Sequence, residues 1–274
     1  MWIRVKHLAR FLNLLCPKNS RAEGTQGAST RLSKPSIASR VPSVLHQGLA
    51  LCQSINFKNQ SNMTIERNPK TLHYFIVADA SGSMADQIEE VRMELNRHFD
   101  VLKQTSEETG DTIKVSLLTF DSELTWEFSG LDSLNLPRIT KERYYPRGTT
   151  ALLDAAGQAI ERAAYMVGSV DPEKESVWVM IFSDGGENAS RKFNYREFKN
   201  LLERYQSVPG WTITFTGCDM QGIANMKDSH LRGDRMRSYG HHEKAKAISD
   251  LNETMISFSL SNYKNLDFDK PKKR

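Results

Sequence analysis

The feature that most constrains this chain is a pair of nearly uninterrupted apolar runs, residues 72–78 and 177–182, each stopping at a polar turn that carries an aspartate. A strand with one wet face alternates apolar and polar side chains, whereas a strand covered on both faces of a parallel sheet reads as a continuous apolar stretch. Two such strands demand helical layers above and below them.

The segments between supply those layers. After the first run, Ile88, Val91, Leu95, Phe99 and Leu102 recur every three or four residues, which predicts an amphipathic helix. Residues 113–120 read as a second strand and 124–128 as a short edge strand, while 129–149, punctuated by Pro137, Pro146 and Gly148, read as loop. From Thr150 onward Leu152, Ala155, Ala156, Ala159, Ile160 and Ala163 form a small-residue helical face, with Asp154 in the first turn where the helix dipole favours an acid. Residues 193–205 read as a helix, 211–216 as a strand and 244–258 as a closing helix, with 219–240 the least regular part. Strands alternating with helices predict an α/β fold, a doubly wound, mostly parallel central sheet flanked by helices. Ligands of such sheets bind beyond the carboxyl ends of the strands, where both polar turns lie.

The chemistry-bearing residues collect at that edge. Asp79, Ser81 and Ser83 put one carboxylate and two hydroxyls on a tight loop, Asp184 follows the second apolar run, and Thr150 comes from a third segment at a helix start. An all-oxygen set of this kind suits a hard cation such as Mg²⁺ or Mn²⁺. Two carboxylates only balance its formal charge, and Mg²⁺ gives up water reluctantly, so a coordination position is left for an incoming oxygen.

Three pieces together resemble the metal-ion-dependent adhesion site of von Willebrand factor type A domains: Asp79-Ala80-Ser81-Gly82-Ser83, Thr150 within Arg147-Gly148-Thr149-Thr150-Ala151-Leu152, and Asp184-Gly185. The resemblance covers residues 72–262 and is greatest to compact, stand-alone bacterial and phage members. It implies a Rossmann-like sheet, direct metal contacts from Ser81, Ser83 and Thr150, contacts through water from Asp79 and Asp184, and a partner protein whose Asp or Glu completes the metal shell. Thr149 stands where a second glycine is common and is the competing hydroxyl; the register with Ala151-Leu152 favours Thr150. Tyr144, Tyr145 and Arg147 are expected in the loops around the partner. The reading is a binding module and not an enzyme. The alternative is a metal-dependent phosphohydrolase or nucleotide-handling enzyme using the same acidic cluster.

Simpler readings account for less. Asp79 or Ser81 taken alone is an ordinary helix cap. A covalent phosphoacceptor aspartate would want an acid two residues on, where Ser81 stands, and neither serine lies in a Gly-x-Ser-x-Gly elbow. Cys218, with His230, His241 and His242 downstream, lacks zinc-site spacing and reads as a buried inert thiol.

Residues 1–62 are a different kind of chain. They carry nine Lys and Arg against the single acid Glu23, so the basic overall balance does not describe the rest, and no nucleic acid is expected as a partner. This stretch reads as a disordered basic extension, either upstream of a functional start at Met63 or a transit-like segment for organelle import. A lipid-attached leader ending at Cys16 is disfavoured by Leu15, where a small residue is wanted. Residues 63–71 form a lead-in and 263–274 a charged tail. Cys16, Cys52 and Cys218 are odd in number and widely spaced, which predicts reduced thiols and, without import, a cytoplasmic setting. No apolar run approaches the ~20 residues needed to span a bilayer.

Overall fold

The computed structural model describes residues 68–184, 186–217, 235–264 and 266. The basic extension, Cys16, Cys52, Cys218, His230, Gly185 and residues 267–274 lie outside the described residues.

Six strands form one sheet in the order β3-β2-β1-β4-β5-β6. They are β1 (Thr71–Asp79), β2 (Thr112–Phe120), β3 (Leu124–Asp132), β4 (Glu175–Ser183), β5 (Trp211–Gly217) and β6 (Met236–Ser238). All neighbours pair in parallel except β2 and β3, a hairpin whose register shifts between Val115 and Leu118. Among the described residues the four α-helices are α1 (Ile88–Thr109), α2 (Leu152–Val167), α3 (Tyr195–Gln206) and α4 (Lys244–Leu260). The doubly wound, mostly parallel α/β architecture expected from the sequence is therefore present.

Each face of the sheet carries two helices. On one, Phe75, Val77, Val179, Ile181, Ile213 and Phe215 meet the small residues of α2 and the Phe198 and Leu202 ridge of α3. Alanines at 155, 156, 159 and 163 are fully buried, which lets α2 approach the sheet closely. On the other face, the Trp178 ring stacks on Tyr74 at 4.5 Å and meets Phe258 of α4 edge-on at 5.3 Å. Such aromatic pairs add about 0.5–1.5 kcal/mol each beyond the area they bury. The Trp178 indole donates to Thr214 Oγ1 at 2.8 Å, so its buried N–H is satisfied. His98 of α1 bridges this layer, with Tyr74 Oη 3.1 Å from Nε2 and Asn252 Oδ1 2.8 Å from Nδ1. Burial pushes its pKa down to about 4, so it is a neutral structural group.

Three local expectations are corrected. The edge strand continues to Asp132 and ends in a short 3₁₀ turn, because pairing with β2 overrides the weak pattern of residues 129–132. The helix expected from 193 begins at Tyr195, since Asn194 accepts from Glu197 N at 3.0 Å and Glu197 returns the bond in a capping box. Within the irregular stretch 219–240, residues 236–238 add the last strand.

The order of the strands places the site. The chain leaves β1 toward β2 and β3, then returns through α2 to β4 on the other side of β1. The direction of winding reverses between β1 and β4, and the crevice beyond their carboxyl ends is where such folds receive ligands.

Candidate metal centre

Asp79 is the last residue of β1 and is fully buried. Its Oδ1 accepts from Ser81 N at 2.7 Å and its Oδ2 from the Ser183 hydroxyl at 2.5 Å. Burial pushes its pKa up to about 6, partly offset by the hydrogen bonds from Ser183 and Ser81 and reinforced by the nearby charge of Asp184. No cation pairs with it among the described residues. Ser183, which ends β4, is kept close by Gly217 of β5, where any Cβ would stand 1.7 Å from the Ser183 carbonyl oxygen.

Ser81 and Ser83 extend the cluster along the turn that follows β1. Their hydroxyls are 3.0 Å apart, and that of Ser83 donates to Asp184 Oδ1 at 2.7 Å. Asp79, Ser81, Ser83 and Asp184 thus form one hydrogen-bonded group, with Ser183 donating to Asp79 at its end.

Thr150 arrives on a separate loop docked by backbone contacts. Arg147 N donates to Ala80 O at 2.8 Å and Gly82 N to Gly148 O at 3.1 Å. Gly148 adopts φ +36°, and a Cβ there would stand 2.9 Å from Asp121 Oδ2. Thr150 is 4% exposed, whereas Thr149 faces solvent. The Thr150 hydroxyl makes no hydrogen bond to the other four residues, so the structure sets it beside the cluster without joining it.

Several residues that shape this site escaped the sequence reading. Asn188 Oδ1 accepts from Thr150 N at 2.8 Å, while Asn188 N donates to Thr150 O at 3.1 Å. Glu187 accepts from Leu153 N at 2.8 Å, Ala189 N at 2.9 Å and Ser190 N at 2.7 Å, knotting the loop after β4 to the start of α2. Asp154, expected to act on the helix dipole, instead accepts from the backbone N–H groups of Arg191, Lys192 and Phe193. A run of Glu-Asn-x-Ser just beyond Asp184 was the available signal, since short polar side chains in loops bond to backbone.

One expectation about the surroundings changes. Tyr144, expected among the loops that meet a partner, is fully buried and its hydroxyl donates to the Asp79 carbonyl. Tyr145 is 43% exposed with the Arg147 guanidinium over its ring, and Arg147 also pairs with Asp121 at 3.4 Å.

Lys244, the first residue of α4, reaches the same place from the far end of the chain. Its Nζ stands 2.7 Å from Asp184 Oδ2 and donates to Ser83 O and to Asp86 Oδ1, each at 2.5 Å. Burial opposes its charge, but Asp184 and Asp86 outweigh that and hold the ammonium above its ordinary pKa.

The donors fit a hard cation in their chemistry. Asp79 is a buried carboxylate met only by neutral donors, and it stands among hydroxyls with a second carboxylate close by. Among the described residues no group of three or more His, Cys, Asp or Glu side chains is placed to bind a metal, so the candidate donors here are two carboxylates and neighbouring hydroxyls.

The doubly wound fold has known structural neighbours, although no family model and no curated protein matches the chain. The pilus adhesin SpaC of Lactobacillus rhamnosus GG, in an open conformation, is similar at TM-score 0.52 and 12% identity, over 72% of this chain and 31% of that one. The vWF domain of the type V pili tip protein Mfa5 of Porphyromonas gingivalis gives 0.49 at 12% identity, over 69% and 96%. Proximal thread matrix protein 1 of the mussel byssus, with a zinc-occupied MIDAS motif, gives 0.41 at 15% identity, over 68% and 45%. This chain spans less than half the length of SpaC and of the mussel protein. It is a protein of the von Willebrand factor type A fold. No described helix is long and apolar enough to cross a membrane.

Proposed function

We propose that this chain is a divalent-cation-dependent protein-binding module in which Asp79, Ser81, Ser83, Thr150 and Asp184 hold Mg²⁺ or Mn²⁺ and a partner protein contributes an Asp or Glu. The observation that carries this reading is Asp79, a fully buried carboxylate at the switch point with no cationic partner among the described residues. A buried charge left uncompensated is costly, and a cation is what relieves it. The bound ion would supply the positive charge that attracts a carboxylate. The protein's own part is to keep the oxygens in place: Ser81 N–H and Ser183 orient Asp79, Ser83 orients Asp184, and Asn188 orients Thr150.

No observation favours the phosphohydrolase alternative. Both carboxylate oxygens of Asp79 already accept hydrogen bonds from the protein, and Ser81 stands where a second acid is wanted.

Calorimetric titration of Mg²⁺ and of Mn²⁺ into the full chain and its Asp79→Ala variant tests the reading. Wild type is expected to bind, and the variant to bind at least about 100-fold more weakly with its far-ultraviolet circular dichroism retained. Equal binding by the two proteins would overturn it. A pull-down with and without EDTA then identifies the metal-dependent partner.

A further inference from the structure

The metal reading leaves Lys244 unexplained. Its side chain is only 3% exposed, and a lysine this deep is rarely found without paired charges. The start of α4 is fixed so that it reaches the cluster: Lys244 N donates to Gln87 Oε1 at 3.0 Å, while Gln87 Nε2 donates to His241 O at 3.1 Å. Gln87 directly follows the turn Gly82–Asp86, so this clamp ties the first residues of α4 to the loop that carries Ser83.

We infer that the Lys244 ammonium is a tethered competitor for the divalent ion, holding the Asp184 carboxylate in the metal-free protein and having to release it when a dication binds. The inference rests on the metal-binding reading above. It follows from how Asp184 is occupied: Oδ1 takes the Ser83 hydroxyl and Oδ2 faces Lys244, so neither oxygen is free. An ammonium is a compact point charge with three donors, and here it meets a carbonyl and two carboxylates, the kinds of oxygen that hard cations choose. It also repels any second cation drawn to the same carboxylate, and burial weakens the solvent screening that would soften this repulsion.

Only the Asp184 side is affected. Asp79 keeps its neutral partners and stays without a cation, so the metal-free site is half compensated. Binding a dication exchanges one positive charge at Asp184 for two shared with Asp79.

The test compares Mn²⁺ binding, by calorimetry and by the paramagnetic resonance of free Mn²⁺, in wild type and Lys244→Met, a side chain of similar length without charge. Lys244→Met is expected to bind Mn²⁺ at least about tenfold more tightly. Because that change leaves Asp184 and Asp86 facing each other, the comparison is repeated as Lys244→Met/Asp86→Asn against Asp86→Asn, with the same direction expected. Melting gives a second readout. EDTA is expected to shift wild type by less than about 2 °C, whereas Lys244→Met melts several degrees lower in EDTA and recovers with Mn²⁺.

If the lysine-bearing parents bind Mn²⁺ and their Lys244→Met counterparts bind no more tightly, the competition is overturned and the metal reading stands. If no parent or variant binds Mn²⁺, the metal reading fails and the competition with it. Binding by the variants alone supports the competition and overturns the expectation that the wild-type chain itself binds the ion.

Discussion

Asp79 ends β1 and Asp184 directly follows the adjacent β4, at 0% and 2% exposure, yet their charges are met in opposite ways. Asp79 is held by a backbone N–H and a serine hydroxyl, which orient it without neutralising it. Asp184 is held by a serine hydroxyl and a buried ammonium. The folded chain thus stabilises one carboxylate itself and leaves the other in need of a cation. On the proposed metal reading, that asymmetry confines the cost of metal-free folding to Asp79.

The largest test of the asymmetry removes Asp184. In EDTA, Asp184→Ala leaves the buried Lys244 with Asp86, whose side chain is 47% exposed, and with the Ser83 carbonyl. Loss of one partner of a buried ion pair costs about 3–5 kcal/mol, and the remaining partners bring the expected loss to the low end, about 3 kcal/mol in urea denaturation. Asp79→Asn, which removes no ion pair, is expected to cost little or to stabilise. Equal losses from the two substitutions would show that the two carboxylates are not compensated differently.

A pH series sharpens the same contrast. The folded-state pKa of Asp79 is raised from 3.8 to about 6, so the folded protein holds this proton more tightly than the unfolded chain does. Its contribution to stability therefore grows as pH falls from about 6 toward 3.8 and is lost as pH rises through that window. Asp79→Asn removes this dependence. In metal-free buffer the variant is expected to gain on wild type by about 2–3 kcal/mol between pH 4 and pH 7, read as the difference between two urea titrations. His98, whose lowered pKa makes stability fall as pH drops from 6.5 toward 4, is common to both proteins and cancels in the difference.

How much of this was legible in the sequence follows from the kind of signal each part leaves. β1 and β4 announced themselves because strands buried on both faces carry unbroken apolar runs, and Asp79 and Asp184 stood out as the first acids after those runs. Ser81 and Ser83 were legible from spacing alone, since one tight turn holds all three side chains. Lys244 was not legible. A lysine opening a helix reads as a solvated surface charge, and its partner Ser83 lies 161 residues away, so only the packing of α4 on α1 reveals the pairing. Tyr144 was misread for a related reason: in a loop rich in Arg and Pro an aromatic residue looks exposed, and nothing local records that its hydroxyl meets the Asp79 carbonyl.

The smallest expected effect concerns the loop that carries neither carboxylate. Thr150 depends on Asn188, four residues beyond Asp184, for the one hydrogen bond of its backbone N–H among the described residues. Asn188→Ala leaves that N–H without its partner, a loss of about 1–2 kcal/mol. The loop itself stays in place, because Glu187 still accepts from Leu153, Ala189 and Ser190, and Asp154 from three further backbone N–H groups. Stability and metal affinity should therefore separate: a modest shift in urea midpoint, but a roughly tenfold weaker Mn²⁺ affinity by calorimetry, the size typical of a lost orienting contact. If affinity is unchanged, Thr150 is no part of the metal site, and the cation is held by the Asp79 and Asp184 turns alone.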